Sequence, residues 1–235
     1  MFKIISLLIL IVTDCLPQSI FERWHNTDVL IRDRKIPREA AIDSVRNFTR
    51  FALEEIRHLE LETTKREDWA FPMKNFTVIK YRENGNDYRD EKFDYFQGGE
   101  SKGHPAHDIF ILDDDNNSIE DSTGEKVYAV AMVTGIILSS YGDWKIGDFL
   151  RSGNYVKLFD PESVAIFYYS HLDTVFVTPG SIVKKGDPIG YVGRTGRKAI
   201  KGRTHIHIAY YRIMDGYPRP EKIIDDLRRA ELKTD

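Results

Sequence analysis

The sequence predicts a mostly β protein with an antiparallel sheet, an N-terminal amphipathic helix and a short C-terminal helix. After Lys126, short runs rich in β-branched and aromatic residues are separated by turn residues, which is the pattern of strands joined by tight connections. Between Pro37 and Leu61, apolar residues recur every three or four positions, as in a helix with one apolar face. Twelve Tyr and thirteen Phe also favour a sheet over a helical bundle.

The first residues have the character of a targeting segment. Lys3 precedes the apolar run Ile4–Val12, which is shorter than the roughly 20 residues needed to span a bilayer. We therefore interpret residues 1–19 as a secretory signal peptide and expect export to the periplasm, the cell envelope or the medium. An alternative is lipid attachment at Cys15, for which Asp14 is a poor preceding residue.

Composition limits the function classes. The 235 residues are 41 % hydrophobic and 30 % charged, which is typical of a soluble globular protein. A formal net charge of -3 provides no basic surplus for a phosphate backbone, so we expect no nucleic-acid partner. With a single cysteine, no intramolecular disulfide can form, and any metal must be held by His and carboxylate.

A helical prefix and a connecting loop are predicted over residues 20–102. The apolar stripe of the helix consists of Ala41, Val45, Phe48, Ala52, Ile56 and Leu59. Pro37 suits the first turn, and charged residues fill the other positions. We favour a helix that covers the open side of the next domain over one that binds a partner. Residues 83–102 are polar and rich in Gly, Asp and Tyr, and are predicted to form a loop.

The second domain is predicted over residues 103–235. Its expected strands are Val127–Leu138, Tyr155–Phe159, Val164–Ser170, Ser181–Val183, Ile189–Val192 and Thr204–Tyr211. Asp160–Ser163 has the residues of a hairpin turn. The charged segment Glu221–Leu232 is predicted to be a helix.

An acidic insert lies at Asp113–Asp121. Its spacing is similar to that of a calcium-binding loop, but Ser118 stands where the turn glycine belongs and Gly124 stands where the bidentate Glu belongs. We therefore interpret it as a solvated surface loop.

Five of the seven His residues fall between positions 104 and 207. His205 and His207 are two apart in a predicted strand, so both imidazoles should project from the same face. His104 and Asp108 offer an imidazole and a carboxylate four residues apart. His171 follows the strand Val164–Ser170, on the face predicted for Tyr169.

This set of residue types suits a hydrolytic zinc site. Zinc in hydrolases commonly has three His or carboxylate ligands and a water in an open position. With two neutral imidazoles and one carboxylate the site stays net positive, so the pKa of the bound water falls to about 7 and the water can attack an amide. Further His residues outside the metal shell could transfer protons or stabilise an oxyanion.

Several sequence blocks, in order, resemble the lysostaphin and LytM family of zinc endopeptidases. They are Gly103–Ile109, with the H-x-x-x-D spacing, then Val127–Ala129, Gly135–Ile137, Gly153–Val156, Tyr169–Leu172, Pro179–Gly190, Gly193–Gly196 and His205–His207. Together they cover residues 103–211. Departures at Ala106, His107 and Arg203–Thr204 leave the predicted metal set intact and bear on the shape of the groove.

The resemblance implies a zinc metallo-endopeptidase that hydrolyses peptides of bacterial peptidoglycan in a β-sheet groove. It implies zinc ligands at His104, Asp108 and His207, and catalytic roles for His171 and His205. His107 is the rival ligand. We prefer His104, because in an extended segment the immediate neighbour of Asp108 should point away from the metal.

Two other functions compete with this one. A non-catalytic relative could bind the cell wall or activate another hydrolase, although such proteins typically lose ligand positions. The stretch Pro179–Gly196 is also similar to the turns of lipoyl and biotinyl carrier domains, but the modified-Lys motif of those domains is not found. Which peptide bond is cleaved, and whether the enzyme remodels its own wall or attacks other cells, stays open.

Overall fold

Two antiparallel sheets and three α-helices make up the part of the chain, residues 19–233, that the computed structural model describes. The helices are α1 (Ile20–Arg32), α2 (Arg38–His58) and α3 (Ile224–Glu231). Cys15 and the predicted signal segment, except for its last residue Ser19, lie outside the described residues. Within the described range, no helix is both long and apolar enough to cross a bilayer.

The strands are short, and each predicted β segment overlaps at least one of them. In chain order they are β1 (Met73–Lys74), β2 (Ile79–Tyr81), β3 (His107–Ile111), β4 (Tyr128–Val130), β5 (Gly135–Tyr141), β6 (Asn154–Asp160), β7 (Ala165–Leu172), β8 (Thr174–Val175), β9 (Ile182–Val183), β10 (Pro188–Tyr191), β11 (His205–Met214) and β12 (Tyr217–Pro220). The five strands β1, β2, β3, β8 and β12 lie outside the predicted segments. The larger sheet has the order β2-β3-β11-β7-β6-β5-β9, with β12 paired to β11. The smaller sheet has the order β1-β4-β10-β8.

The predicted strand Val127–Leu138 divides into β4 and β5, which belong to different sheets. The chain crosses between the sheets over residues 131–134, and the Ala131 amide donates there to the Asp187 carbonyl at 2.9 Å. The sequence predicts one strand because both halves of this apolar run are buried. The position of the break depends on the strands that pair with each half, and those strands lie in different sheets.

Strand β11 illustrates how the larger sheet separates two cores. Ile206, Ile208 and Tyr210 point into a core between the two sheets. Residues of opposite parity, among them Ala209 and Tyr211, lie in a second core on the other face. His205 and His207 share that second face. The His pair and the second core are therefore continuous along one side of the sheet.

Helices α1 and α2 cover this second face. Helix α2 buries the predicted stripe from Ala41 to Ile56, which confirms the amphipathic helix and its covering role. Leu59 is the exception, since it lies just past the helix end and is 47 % exposed. Helix α1 was not predicted as a separate element. It begins with a capping box between Ser19 and Glu22, which satisfies free amides of its first turn.

Helix α1 buries Phe21, Trp24, Asp28 and Ile31 at helical spacing. The Trp24 ring stacks on Phe48 of α2 at 5.8 Å, so the two helices and the sheet share one core. The predicted loop 83–102 overlaps one short 3₁₀ segment, Arg82–Gly85, and contains a second, Tyr95–Glu100. This loop passes from α1 to the end of the sheet where the His residues lie.

Candidate metal centre

Strand pairing brings the predicted ligands together. Strand β11 lies between β3 and β7, with His207 opposite Asp108 on one side and opposite Ser170 on the other. Since His207 projects from the face opposite the inter-sheet core, its ring meets the Asp108 side chain across the strand pair. His104 reaches the same point from the turn that precedes β3.

The Asp108 carboxylate is the centre of the group. Its Oδ1 lies 3.0 Å from His104 Nε2 and 2.9 Å from His207 Nδ1. One donor atom from each of these three residues lies within 4.8 Å of the other two. His205 Nε2 is 4.0 Å from the same oxygen, so His205 borders the group.

The donor set and its spacing fit zinc. His nitrogen and carboxylate oxygen bind zinc at about 2.0–2.2 Å, which places tetrahedral ligands about 3.4 Å apart. His104 Nδ1–H donates to the Asp87 carbonyl at 2.9 Å. That bond makes Nε2 the nitrogen that faces Asp108. In the neutral ring Nε2 carries the lone pair that a metal would take, an orientation typical of metal-binding imidazoles.

Arg82 and Asp87 also belong to the site, although no sequence signal distinguished them within a polar loop. Arg82 Nη1 donates to Asp108 Oδ2 at 2.9 Å. The Asp87 carboxylate accepts the Asp108 amide at 2.9 Å, and the Asp87 side chain is almost fully buried. The segment predicted as a connecting loop thus orients two of the three candidate ligands.

The charges around Asp108 shift the pKa values of the group. Burial by itself would raise the pKa of Asp108, but hydrogen bonds from His104 and His207 outweigh it and hold the pKa far below its usual range. Burial would likewise lower the pKa of His104, but the hydrogen bond and charge of Asp108 raise it above its ordinary value. For His207, burial is the stronger effect and lowers the pKa.

His107 lies behind the site. Its side chain is fully buried, Nδ1 is 3.0 Å from Asp87 Oδ1, and the ring stacks on Tyr88 at 5.9 Å. The expected direction away from the His104 and Asp108 pair is therefore the one observed, as the alternation of an extended segment requires.

His171 reaches the cleft through an irregular backbone. Tyr169 packs in the inter-sheet core, so the prediction that His171 shares its face is wrong. The register of β6 and β7 shifts near this point, and His171 has a left-handed φ of 66°. These two irregularities turn its ring to the cleft, at 4.8 Å from the ring of His205. Such strained backbone is often associated with functional sites.

Backbone carbonyls orient both of these additional His rings. His171 Nδ1–H donates to the Thr195 carbonyl at 2.8 Å, and His205 Nδ1–H donates to the Arg203 carbonyl at 2.7 Å. In both rings Nε2 is left to face the cleft. Burial lowers the pKa of His171 to about 3, with the nearby His205 and His207 adding to the effect. His171 is therefore neutral across the physiological range.

All five predicted site residues line one open cavity of about 730 Å³. Ile31 of α1 and the segment from Gly98 to Pro105 form one wall, and the segment from Lys198 to Arg203 forms another. Tyr168 and Tyr211 add aromatic surface. A cavity of this size can hold several residues of a peptide.

The acidic insert is more firmly anchored than predicted. Asp113 and Glu120 are buried. Asp113 accepts the Ser118 amide at 2.8 Å and also the Thr204 hydroxyl. Oxygen atoms of Asp113, Asp115 and Asp121 lie within 4.8 Å of one another. Since Thr204 precedes His205, the insert supports the start of β11.

The fold and the donor group together define an antiparallel β protein with a cleft-bound His–Asp–His site. Residues 117–218 match the family model described as peptidase family M23. This segment is similar to the family, and the predicted resemblance to the lysostaphin and LytM family is confirmed. The match includes His171, His205 and His207 but begins after Asp108. The evidence that His104 and Asp108 belong to the same site is therefore their contact with each other and with His207 in the structure.

The chain is similar to several solved structures. A Ruminococcus gnavus structure described as a glycyl-glycine endopeptidase LytM is 19 % identical, with 92 % of each chain covered and a TM-score of 0.51. Lysostaphin from Staphylococcus simulans is 22 % identical over 55 % of this chain, with a TM-score of 0.38, and only 44 % of its own length is covered. A zinc-containing peptidase from Vibrio cholerae is 19 % identical over 68 % of this chain and 39 % of that one, with a TM-score of 0.37. No curated protein sequence matches.

Proposed function

We propose that the protein is an exported zinc endopeptidase that hydrolyses peptide bonds of bacterial peptidoglycan, in the cross-links or the stem peptides. The observation that carries this proposal is the convergence of His104, Asp108 and His207 beside two further imidazoles in an open cleft. The match of residues 117–218 to peptidase family M23 supports the reaction class. The assignment of peptidoglycan as substrate rests on the resemblance to lysostaphin and LytM.

His104 Nε2, Asp108 Oδ1 and His207 Nδ1 would hold the metal. When bound there, zinc would acidify a water molecule and polarise the scissile carbonyl. Asp108 brings one negative charge to this site, and Arg82 on its second oxygen favours binding through Oδ1 alone.

His171 and His205 would act on the reacting peptide. Each ring is oriented by a carbonyl at Nδ1, so Nε2 can accept a proton from the attacking water or donate one to the developing oxyanion or the leaving amine. The low pKa of His171 makes its neutral form the resting form.

The test is digestion of purified peptidoglycans of different cross-link chemistry by the zinc-loaded protein, with released fragments identified by mass. We expect peptide fragments from at least one wall type, loss of release in excess phenanthroline, and recovery when zinc is restored. The masses would also identify the bond. Full release under excess chelator would contradict the metal mechanism.

A non-catalytic wall-binding relative is the second candidate, and the Arg82–Asp108 ion pair favours it. A guanidinium on the ligand carboxylate could stabilise the site without a metal. This candidate predicts no stoichiometric zinc and no fragment release, together with retained binding to insoluble peptidoglycan in a sedimentation assay. Stoichiometric zinc with fragment release would reject it.

A further inference from the structure

The charge of the cleft is opposite to that of the whole molecule. The chain carries a formal net charge of -3, yet seven cationic side chains and a single carboxylate, that of Asp108, line the cavity. Cations in a concave site with low-dielectric walls concentrate positive potential. The cleft should therefore attract anionic groups.

Three of the seven cations are paired with carboxylates. Arg82 binds Asp108 at 2.9 Å, Lys157 binds Asp28 at 2.6 Å and Arg32 binds Asp33 at 2.7 Å. Arg203 approaches the exposed Asp114 at 3.9 Å.

The other three cations are Lys102, Arg151 and Lys198. Among residues 19–233, none of them has a carboxylate within 4.0 Å. All three are exposed at the mouth of the cleft. Their charges are consequently left for a ligand.

Arg151 is held in place although it lacks an acidic partner. Its Nη1 donates to the carbonyls of Gly99 at 3.3 Å and Ser101 at 3.0 Å. These two contacts use one nitrogen of the guanidinium and leave the Nε and Nη2 side of the fork without a hydrogen bond from residues 19–233. A guanidinium fork of this kind matches a carboxylate.

Arg151 also lies next to the catalytic candidates. A Cβ added to Gly196 would lie 2.4 Å from the Arg151 carbonyl and 3.0 Å from His171 Nδ1. The backbone of Gly196 therefore lies between the backbone of Arg151 and the His171 ring. Arg151 and His171 also line the same cavity, so a carboxylate bound by the Arg151 guanidinium would belong to a ligand in the cleft that His171 faces.

We propose that the cleft recognises free carboxylate groups of its peptide substrate, with Arg151 as the principal contact and Lys198 and Lys102 as supporting charges. This inference rests on the proposed function, because it specifies the substrate class of that site. Peptides whose carboxylates have been converted to amides would be poor ligands, since a charge-assisted contact would be replaced by a neutral one.

The experiment compares two forms of one ligand. Cross-linked peptides released from peptidoglycan are either left untreated or converted to primary amides with carbodiimide and ammonia. Equilibrium binding to the zinc-loaded protein is measured by calorimetric titration, and cleavage is measured separately by mass. We expect the untreated form to bind about 10-fold tighter, with the ratio falling as salt is raised from about 0.05 to 0.5 M because the charges are exposed.

Variants assign the effect to residues. Arg151→Gln should bring the binding ratio of the two forms close to 1, Arg151→Lys should keep part of it, and Lys198→Gln should reduce it without touching the carbonyl contacts that Arg151 makes. Arg57→Gln is the matched control, because Arg57 is an exposed arginine of α2 that does not line the cleft. It should leave the ratio unchanged.

The two proposals fail in different ways. Equal binding of the two forms, no binding of either, or an unchanged ratio in both Arg151→Gln and Lys198→Gln overturns carboxylate recognition. A binding preference that depends on Arg151, without any cleavage, supports carboxylate recognition and counts against the endopeptidase. Cleavage of both forms at equal rates and with equal affinity supports the endopeptidase and overturns carboxylate recognition.

Discussion

Asp108 is the residue on which the charges of the candidate site converge. One oxygen meets two imidazoles and the other meets the Arg82 guanidinium. Its backbone amide is bound by Asp87, so both its position and its charge are specified. This environment makes Asp108 a fixed anion across the physiological pH range, as a metal ligand must be.

Ligands and catalytic residues can be separated by substitution. Asp108→Ala and His207→Ala should lower both zinc content and turnover, because each removes a donor from the metal group. His171→Ala and His205→Ala should retain zinc and lose about 100-fold to 10,000-fold in rate, as expected for acid–base residues. The measurements are zinc per chain by elemental analysis and turnover on cross-linked peptide.

His58→Ala is the control for this series, because His58 is exposed at the end of α2. His107→Ala is unsuitable as a neutral control, since it would remove a fully buried ring that contacts Asp87. If His205→Ala lost zinc while His207→Ala kept it, the assignment of roles within this pair would be wrong.

The acid limb of the pH profile should follow zinc occupancy. Because the pKa of His104 is raised above its ordinary value of about 6.5, protons already compete with the metal there as the pH falls toward that value. His171 stays neutral down to about pH 3, so its own protonation should not limit activity near neutrality. Zinc content and turnover, measured together in zinc-buffered solutions from pH 8 to about 5, should decline together. Loss of turnover at full zinc occupancy would instead assign the limb to a catalytic imidazole.

At the scale of elements, a buried ion pair ties α1 to the sheet. Lys157 of β6 binds Asp28 at 2.6 Å, with the side chains only 12 % and 3 % exposed. Tyr95 from the connecting loop also donates to Asp28, at 2.8 Å. These contacts join α1, β6 and the connecting loop, and α1 also contributes Ile31 to the lining of the cleft.

Breaking this pair from one side should be costly. Asp28→Ala leaves the Lys157 charge buried and unpaired, which we expect to lower the free energy of unfolding by about 3–5 kcal/mol, whereas the double variant Asp28→Ala with Lys157→Met should lose less. Urea denaturation checks both. Asp43→Ala, which removes an exposed partner of Arg46, should change the free energy by no more than about 1 kcal/mol. Equal losses for the single and double variants would contradict the buried-charge argument.

Acid should weaken the same contact. Burial alone would raise the pKa of Asp28, but the charge and hydrogen bond of Lys157 lower it below its ordinary value. A carboxyl with a depressed folded-state pKa contributes stability above its unfolded pKa of about 3.9, and that contribution is lost as the pH falls below it. The Asp28→Ala variant should accordingly differ from the parent protein less at pH 3 than at pH 7.

At the scale of the whole molecule, the prefix and the sheet domain form one folded unit. The second core contains residues of α1, α2 and the large sheet together, and the segment 82–104 supplies contacts to the candidate ligands. The boundary predicted at residue 102 therefore marks a change in the sequence pattern from helical to β, and residues on the two sides of it pack in one core and share hydrogen bonds.

Export is the prediction that concerns the first residues of the sequence. The mature protein should begin after the Ile4–Val12 segment, because that run is too short to anchor the chain by spanning a bilayer. Cell fractionation with N-terminal sequencing is the measurement. An intact Met1 on a cytosolic protein would contradict export.

The sequence by itself determined the elements with a clear period and the residues with distinctive chemistry. Helix α2 and most strands follow from spacing and residue type, because a local period indicates which side chains are buried. The candidate His and Asp residues are noticeable because imidazoles are rare, and the choice of His104, Asp108, His171, His205 and His207 comes from the resemblance to the lysostaphin and LytM family. His205 and His207 could be placed on one face from strand alternation alone.

Only the tertiary structure decided how polar and irregular segments take part. Arg82, Asp87 and Arg151 resemble any loop residues in sequence, and their roles arise from partners far along the chain or across the fold. His171 reaches the cleft through a register shift and a left-handed φ, which reverse the face that alternation assigns. Such features depend on contacts between segments that are distant in sequence, and these contacts cannot be predicted from the local pattern of side chains.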